Sequence, residues 1–449
     1  MNRPLIALSL AVLLTAAPIA AANAQAEREL TLEQALEMGK KRNKSMVVEG
    51  ARLAQVQTTL SSAWAMLLPT IAAQGKYTRN YHDAQFPGAG VFDEFGQPVL
   101  DPMTGFQVHT PGLLIQPVNQ LDAVVSFNAP LIVPAAYPGL KSVKANIASA
   151  EANYDLSETN VLYAVAQAFY AAAISDEVVT ARHSNILVTR ATLDNAKTRL
   201  AAGTVTKVDV DRAELALLRS EQAEREAIQG RQQAYIGLAT LIQLEGKFHV
   251  KAPEALPPLP PEQPLDNVLQ LRPEFHALEL SARAADLQAK TDAWKWSPSI
   301  SGFGNARKFN YDNFNRDRYS WAVGLQLDWV IFDGGNRDAQ RHLADAQMDE
   351  ALARVEVLKD SVRDDLINQR SLVDTKRQGV FAAVRAVELA KETIELVRTQ
   401  YEAGTVTQVD LLNVQDSLVN SQEALAQFRF DLAVADLAYR KTAGTFPPK

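Results

Sequence analysis

The five-residue stretch "AGTVT" occurs at Ala202–Thr206 and again at Ala403–Thr407. The flanking residues also agree, since "TRLAAGTVTKVDV" at 198–210 corresponds to "TQYEAGTVTQVDL" at 399–411. The two copies begin 201 positions apart, at 202 and 403. Chance does not explain a repeat of this length and context in one chain, so the sequence contains an internal duplication, which must be recognised before a fold is assigned.

Each copy of the stretch predicts a tight reversal between two helices. The glycine suits a helix C-terminus in the left-handed region, and the second threonine suits the N-cap of a new helix with an aspartate at its third position, a capping box with Asp in place of Glu. The hairpin tips are therefore placed at 203–206 and 404–407. Asp209 and Asp410 are the two cap aspartates.

The duplication divides the chain into two structural repeats, at 25–250 and 268–449. A proline-rich stretch, "APEALPPLPPEQPLDN", falls in the segment 251–267 and predicts an extended linker. Pro69 and Pro298 are 229 positions apart, whereas later equivalent segments are 200 apart, so the first repeat carries about 29 additional residues between its two strand-like segments.

Each repeat contains two segments with the alternation of a β-strand, near 67–79 and 119–132 and near 297–309 and 319–332. In "WAVGLQLDWVI" (321–331), large apolar residues occupy every second position and small or polar residues occupy the others. Aromatic residues cluster at the strand ends, a pattern typical of outer-membrane barrels. The alternative is a soluble hairpin with one buried face.

Long helical tracts follow the second strand of each repeat and extend to the tip glycine. They run from Pro130 to Gly203 and from Val330 to Gly404. At 1.5 Å per residue such a tract reaches roughly 110 Å, far longer than an ordinary globular helix. After Gly404, apolar residues recur with heptad spacing beside a second apolar seam, which predicts coiled-coil packing of each helix against two neighbours.

Composition restricts the class of protein. The run "LIALSLAVLLTAAPIA" followed by "ANAQ" predicts a signal peptide at 1–24. Without Arg3, 44 basic and 52 acidic residues remain, a net charge of −8 that disfavours nucleic-acid binding.

No long apolar run follows the predicted signal peptide, so a membrane-spanning form of the protein would use strands. The chain has no cysteine and shows no metal-ligand spacing, phosphate loop or nucleophile motif, so no cofactor and no enzyme activity are expected.

Several motifs in this order resemble the TolC-like outer-membrane efflux protein family over essentially the whole mature chain. They are "LTLEQAL" (30–36), "LLPTI" (67–71), "LRPEF" (271–275), "LDWVIFDGGNRDAQ" (327–340) and the two tip stretches. The resemblance implies a mainly α protein with a β-barrel part. Its duplicated strand–long-helix units would form a homotrimer, with a twelve-stranded outer-membrane barrel continued by a periplasmic α-helical coiled-coil tube. The linker 251–267 would belong to an equatorial belt around that tube.

The resemblance also assigns a periplasmic gate at the tips. Tyr401 resembles the inner-helix tyrosine of a link that holds the gate closed, and Asp209 resembles its acceptor on the adjacent hairpin. Asp410 matches the first of two acidic ring positions, and Asn413 occupies the second. Val406 stands where a basic residue often reinforces the link. The tips would also dock a periplasmic adaptor through Gly203, Thr204, Val205, Thr206, Gly404, Thr405, Val406 and Thr407.

Three functions are weighed on this basis. The first is a passive exit channel of a tripartite efflux system, which leads small molecules from an inner-membrane pump through the adaptor, across the periplasm and the outer-membrane lipid. The second is the outer-membrane channel of a type I protein or peptide secretion system. The third is a periplasmic coiled-coil scaffold without a pore, which the four alternating strands disfavour.

Overall fold

The computed structural model describes residues 28–110, 112–116, 118–253, 256–310 and 319–447, so the predicted signal peptide lies outside the described residues. The helices and strands follow in chain order: β1 (Arg28–Leu30), α1 (Leu32–Arg42), α2 (Lys44–Ala65), β2 (Thr70–Arg79), β3 (Ala84–Phe86), β4 (Leu113–Gln116), β5 (Asn119–Ile132), α3 (Ala136–Ala201), α4 (Lys207–Ile242), β6 (Phe248–Val250), α5 (Leu265–Gln270), α6 (Pro273–Trp294), β7 (Ser299–Asn310), β8 (Tyr319–Asp328), α7 (Asn336–Glu402) and α8 (Gln408–Thr442).

Four long strands form one antiparallel sheet in the order β2–β5–β7–β8. Strand β2 begins directly after Pro69 and β7 directly after Pro298, because proline has no N–H to donate to the ladder. The prediction that the last strand extends to residue 332 is wrong. Ser299 pairs with Asp328, and the partner strand offers Pro298 beyond that point, so β8 ends at Asp328.

Two very long helices dominate the molecule. Helix α3 has 66 residues and α7 has 67, so each spans roughly 100 Å. Both begin a few residues after the predicted start, since the chain must first turn out of the sheet. Helix α3 packs against α4 and α7 packs against α8, and the α3–α8 contact joins the two hairpins side by side. Towards the sheet, α2 and α6 pack on α3, and α6 also packs on α7.

The main hydrophobic core lies part-way along the helices. Leu30, Val165, Phe169, Leu238 and Ile242 are fully buried there, where the short parallel pair β1–β6 and helix α1 cover α3 and α4. Helix α1 begins with a capping box, with reciprocal hydrogen bonds between Thr31 and Gln34. No helix among the described residues is both long enough and apolar enough to cross a membrane.

The proline-rich linker crosses this same region of the molecule. Buried Arg440 pairs with Asp436 and donates hydrogen bonds to the carbonyl oxygens of Pro257 and Pro258, at 2.9 and 2.7 Å. The predicted linker 251–267 is too long at its end, because α5 begins at Leu265, immediately after Pro264. A proline just before the first turn favours the helical start, since its fixed φ suits the entry and its missing N–H is not needed.

Candidate functional site at the hairpin tips

The repeated stretch forms two helix–turn–helix reversals with the same backbone. Gly203 has φ +72° and Gly404 has φ +77°. The N–H of Thr204 donates to the carbonyl of Arg199 at 3.0 Å, and the N–H of Thr405 donates to that of Gln400 at 3.0 Å. Together with the bonds from the N–H of Gly203 to the carbonyl of Leu200 and from the N–H of Gly404 to that of Tyr401, they form the Schellman motif, which satisfies the last carbonyls of α3 and α7.

The aspartate three residues after each N-cap completes a capping box at the start of the next helix. One carboxylate oxygen of Asp209 accepts from the N–H and hydroxyl of Thr206, at 2.9 and 2.7 Å. Asp410 accepts from the same groups of Thr407, at 2.9 and 2.6 Å. The predicted capping boxes are therefore confirmed. The threonine hydroxyl, followed by the threonine N–H, lowers the pKa of each aspartate below its ordinary value, so both stay ionised at neutral pH.

The predicted docking residues form the exposed ends of the two hairpins. The glycines and threonines of both stretches are exposed, and Val205 and Val406 are half-buried. On α8, Asp410 and Asn413 are both exposed. Their spacing of three residues places them on one face of the helix, one turn apart.

Tyr401 and Asp209, the two partners of the predicted gate link, are not joined within the described chain. Only 5% of Tyr401 is exposed, and its hydroxyl is buried without a hydrogen-bond partner in this part of the molecule. The Asp209 carboxylate is occupied by the cap of its own helix, with Arg212 at 3.8 Å. The Tyr401–Asp209 link stays a prediction.

Arg199, in the last turn of α3, is the tip residue that sequence reasoning missed. Its guanidinium carbon lies 4.6 Å from the centroid of the Tyr401 ring. Its two terminal nitrogens donate to the carbonyl oxygens of Tyr401 and Glu402, each at 3.2 Å. A cation here also suits the negative end of the α7 dipole. The only signal in the sequence was that Arg199 is a basic residue close to the C-terminus of its own helix, α3. That position does not reveal that Arg199 binds carbonyl oxygens of α7.

Behind this contact, polar side chains join α3 to α8 at intervals between residues 177 and 192 of α3. The pairs run in antiparallel register: positions on α3 fall as those on α8 rise. They are Thr192 with Gln415 at 3.0 Å, Arg182 with Glu423 at 2.6 Å and Glu177 with Arg429 at 3.1 Å. The two hairpins of one chain are therefore held together by specific contacts as well as by apolar packing.

A groove opens beside Tyr401, with a volume of about 370 Å³. Its floor is α8, at Leu411 and Gln415, and its walls are α3 and α7. The side-chain oxygen of Gln415 is buried there without a hydrogen-bond partner in the described chain. Tyr401 therefore lines this groove together with polar residues such as Thr192 and Gln415. Within the described residues, no cluster of three or more histidine or acidic side chains could hold a metal ion.

The family model for "Outer membrane efflux protein" matches residues 33–243 and 265–445, which include both repeats and both tips. The chain belongs to the outer membrane efflux protein family. The members of this family are outer-membrane channels rather than enzymes.

Individual relatives agree with this assignment. The efflux protein is 25% identical over 318 residues to the outer membrane efflux protein BepC of Brucella suis, an alignment that covers 67% of this chain and 68% of BepC. It is 27% identical over 368 residues to the pyoverdine export outer membrane protein OpmQ of Pseudomonas aeruginosa, covering 72% and 71% of the two chains.

The fold also matches solved structures. The outer-membrane channel OprN superposes with a TM-score of 0.75 at 18% identity, over 92% of this chain and 89% of that one. The predicted combination of long helical hairpins and strands is therefore the fold of outer-membrane efflux channels. The efflux protein is an outer-membrane protein of tripartite efflux systems, as its family and relatives indicate.

Proposed function

We propose that the efflux protein works as a homotrimer and forms a passive exit channel for small molecules. The observation that carries the proposal is the open sheet: β2 and β8 each pair on one side only within the described residues. An unpaired edge cannot lie in lipid, because each exposed N–H and C=O would lose its hydrogen bond. Pairing of β8 in one subunit with β2 in the next closes the sheet, and three subunits supply twelve strands.

The faces of β8 support this arrangement. Trp321, Val323 and Leu325 are each exposed by about 70% in the single chain. In water such a row of large apolar side chains would be an aggregation site, whereas on a barrel it forms the lipid-facing band. The alternate positions hold Ala322, Gly324 and other small or polar residues, which suit an aqueous interior.

The helical hairpins extend the channel into the periplasm, and their tips form its entrance. The exposed tip residues, from Gly203 to Thr206 and from Gly404 to Thr407, dock a periplasmic adaptor that joins the channel to an inner-membrane pump. The channel itself consumes no energy. The relative OpmQ is named for the export of pyoverdine, a fact that favours small molecules over polypeptides as the exported class.

The gate at this entrance uses the residues that the sequence singled out. A link from Tyr401 to Asp209 holds the closed state, and three copies of Asp410 form an anionic ring that attracts cations. Because Asn413 is neutral, the ring carries one layer of charge. We expect Asp410→Asn to weaken block by multivalent cations and Asn413→Asp to strengthen it. Coupling between Tyr401 and Asp209 near zero in a double-mutant cycle would remove the link from the proposal.

Reconstitution tests the channel directly. Purified protein should run in detergent as a trimer that dissociates on heating, and it should give single-channel conductance in a planar bilayer. Protein that is soluble without detergent and does not conduct would instead be a scaffold. A deletion strain then separates the export classes: increased susceptibility to small toxic compounds supports efflux, whereas unchanged susceptibility with loss of an exported polypeptide supports type I secretion.

A further inference from the structure

We propose that Arg199 is a gate-positioning residue: it holds Tyr401 in a conformation that excludes the Tyr401–Asp209 link, so that the two contacts are alternative states of one tip. This inference rests on the proposed channel function. Arg199 and Asp209 lie on opposite sides of the first turn, at the end of α3 and the start of α4. Both compete for the same tyrosine at the end of α7.

The contacts of Arg199 fix both the backbone and the ring of Tyr401. The guanidinium donates to two successive carbonyls at 3.2 Å and stacks at 4.6 Å from the ring centroid. A planar fork with several donors can make these contacts together, which a lysine ammonium cannot do with the same geometry. The end of α7 is thereby attached to the end of α3, and the tyrosine side chain is directed into the protein.

The burial of the Tyr401 hydroxyl makes the two states exclusive. This oxygen is inaccessible to solvent within the single chain. A carboxylate of a neighbouring subunit therefore cannot reach it without movement of the ring, and Asp209 of the same chain is not bonded to it. As long as Arg199 holds the ring, the closing link cannot form.

The alternative state is physically accessible. The hydroxyl lacks a hydrogen-bond partner in the described chain, and an unpaired buried polar group is unfavourable, so the tyrosine gains by reaching an acceptor. Asp209 is ionised and, although it caps α4, a carboxylate has room for a further hydrogen bond. The groove of about 370 Å³ beside the ring provides space for the change.

Conductance of four proteins tests the competition: wild type, Arg199→Ala, Asp209→Ala and the double variant. Loss of Arg199 should release Tyr401 to Asp209 and lower the resting open probability about fivefold or more, the lower end of ordinary coupling between two states. The double variant should return to the wild-type level or above it. The resting open probability of Arg199→Lys should lie between that of the wild type and that of Arg199→Ala. An open probability of Arg199→Ala that equals or exceeds the wild-type value, or one that Asp209→Ala does not restore, overturns the proposal.

A second measurement does not require conduction and separates this inference from the channel function. The chain has no cysteine, so Lys197→Cys and Lys391→Cys introduce unique spin-label sites on the exposed faces of α3 and α7. Labelled subunits diluted with unlabelled ones report the α3–α7 distance within a subunit. Arg199→Ala should add a second distance population that disappears with Asp209→Ala. An unchanged distribution refutes the role of Arg199, whereas a wild-type protein without conductance refutes only the channel.

Discussion

Replacement of the first tip glycine, Gly203, by alanine tests how much the turn depends on a positive φ at this position. Gly203 has φ +72°, and a Cβ built on it would meet no atom within 4 Å. Gly230, inside α4, also has open space around its Cβ position but lies in ordinary helix. The two substitutions therefore add the same methyl group to equally open surroundings and differ in backbone conformation.

The expected effects have opposite signs. An L-residue in the left-handed region costs about 1–2 kcal/mol, so Gly203→Ala should destabilise the tip by that amount. Alanine is better than glycine in a helix interior by about 0.5–1 kcal/mol, so Gly230→Ala should stabilise α4. The predicted difference between the variants is about 2 kcal/mol. Gly203→Asn should fall between them, because asparagine enters the left-handed region more readily than alanine.

Hydrogen exchange is the suitable assay, because a tip at the far end of α3, a helix of roughly 100 Å, opens locally without global unfolding. The bonds to follow are those from the N–H groups of Gly203 and Thr204. A loss of ~1.4 kcal/mol accelerates their exchange about tenfold. If both alanine variants change protection in the same direction, or if the Gly203 variant exchanges like the wild type, then the positive φ does not control the turn.

Three further predictions concern polar groups elsewhere in the second hairpin. Hydrogen bonding to Thr407 lowers the pKa of Asp410. The helix cap that Asp410 forms should therefore be fully present above the ordinary aspartate pKa of about 4 and should be lost as the pH falls through the lowered pKa. Asp410→Asn should abolish this pH dependence of hydrogen exchange at the start of α8. Arg440→Met leaves Asp436 buried without its partner, so it should lower the free energy of unfolding by about 3–5 kcal/mol and speed proteolysis of the linker. Replacing both Arg440 and Asp436 by apolar residues should have a much smaller effect on stability. Both amide atoms of Gln408 are buried without partners in the described chain, so Gln408→Met should raise the thermal midpoint by an amount corresponding to about 1–2 kcal/mol.

Local features of the fold were accessible from the sequence. The tip turns depend on residues within six positions of one another, so glycine, threonine and aspartate were sufficient to predict the reversal and both capping boxes. Strand existence followed from alternation. The bounds of β5 agree with the predicted 119–132. The end of β8 was missed, because it is set by Pro298 on its partner rather than by its own residues.

The candidate site was less accessible, because its contacts depend on the register between α3 and the second hairpin. Arg199 and Tyr401 are 202 positions apart. No periodic pattern on either helix indicates which turn of one faces which turn of the other. The burial of the Tyr401 hydroxyl follows from that register. Resemblance could suggest Tyr401 as a gate residue, but it could not show that Arg199 of the same subunit contacts its ring and its carbonyl.

The duplication itself explains how the ends of α3 and α7 come to carry different partners of one contact. In the aligned flanks, Arg199 corresponds to Gln400, and Leu200 corresponds to Tyr401. The turn residues are identical, but the helix ends before them have diverged in complementary ways: one copy supplies the cation Arg199 and the other supplies the aromatic ring of Tyr401. If both ends had kept the sequence of one present copy, either the cation or the ring would be missing and this contact could not form. Exchange of the pair, Arg199→Gln with Gln400→Arg, should therefore abolish the contact between the end of α3 and Tyr401 even though the amino-acid composition is unchanged, because the cation would then lie on α7, the helix that already carries the ring.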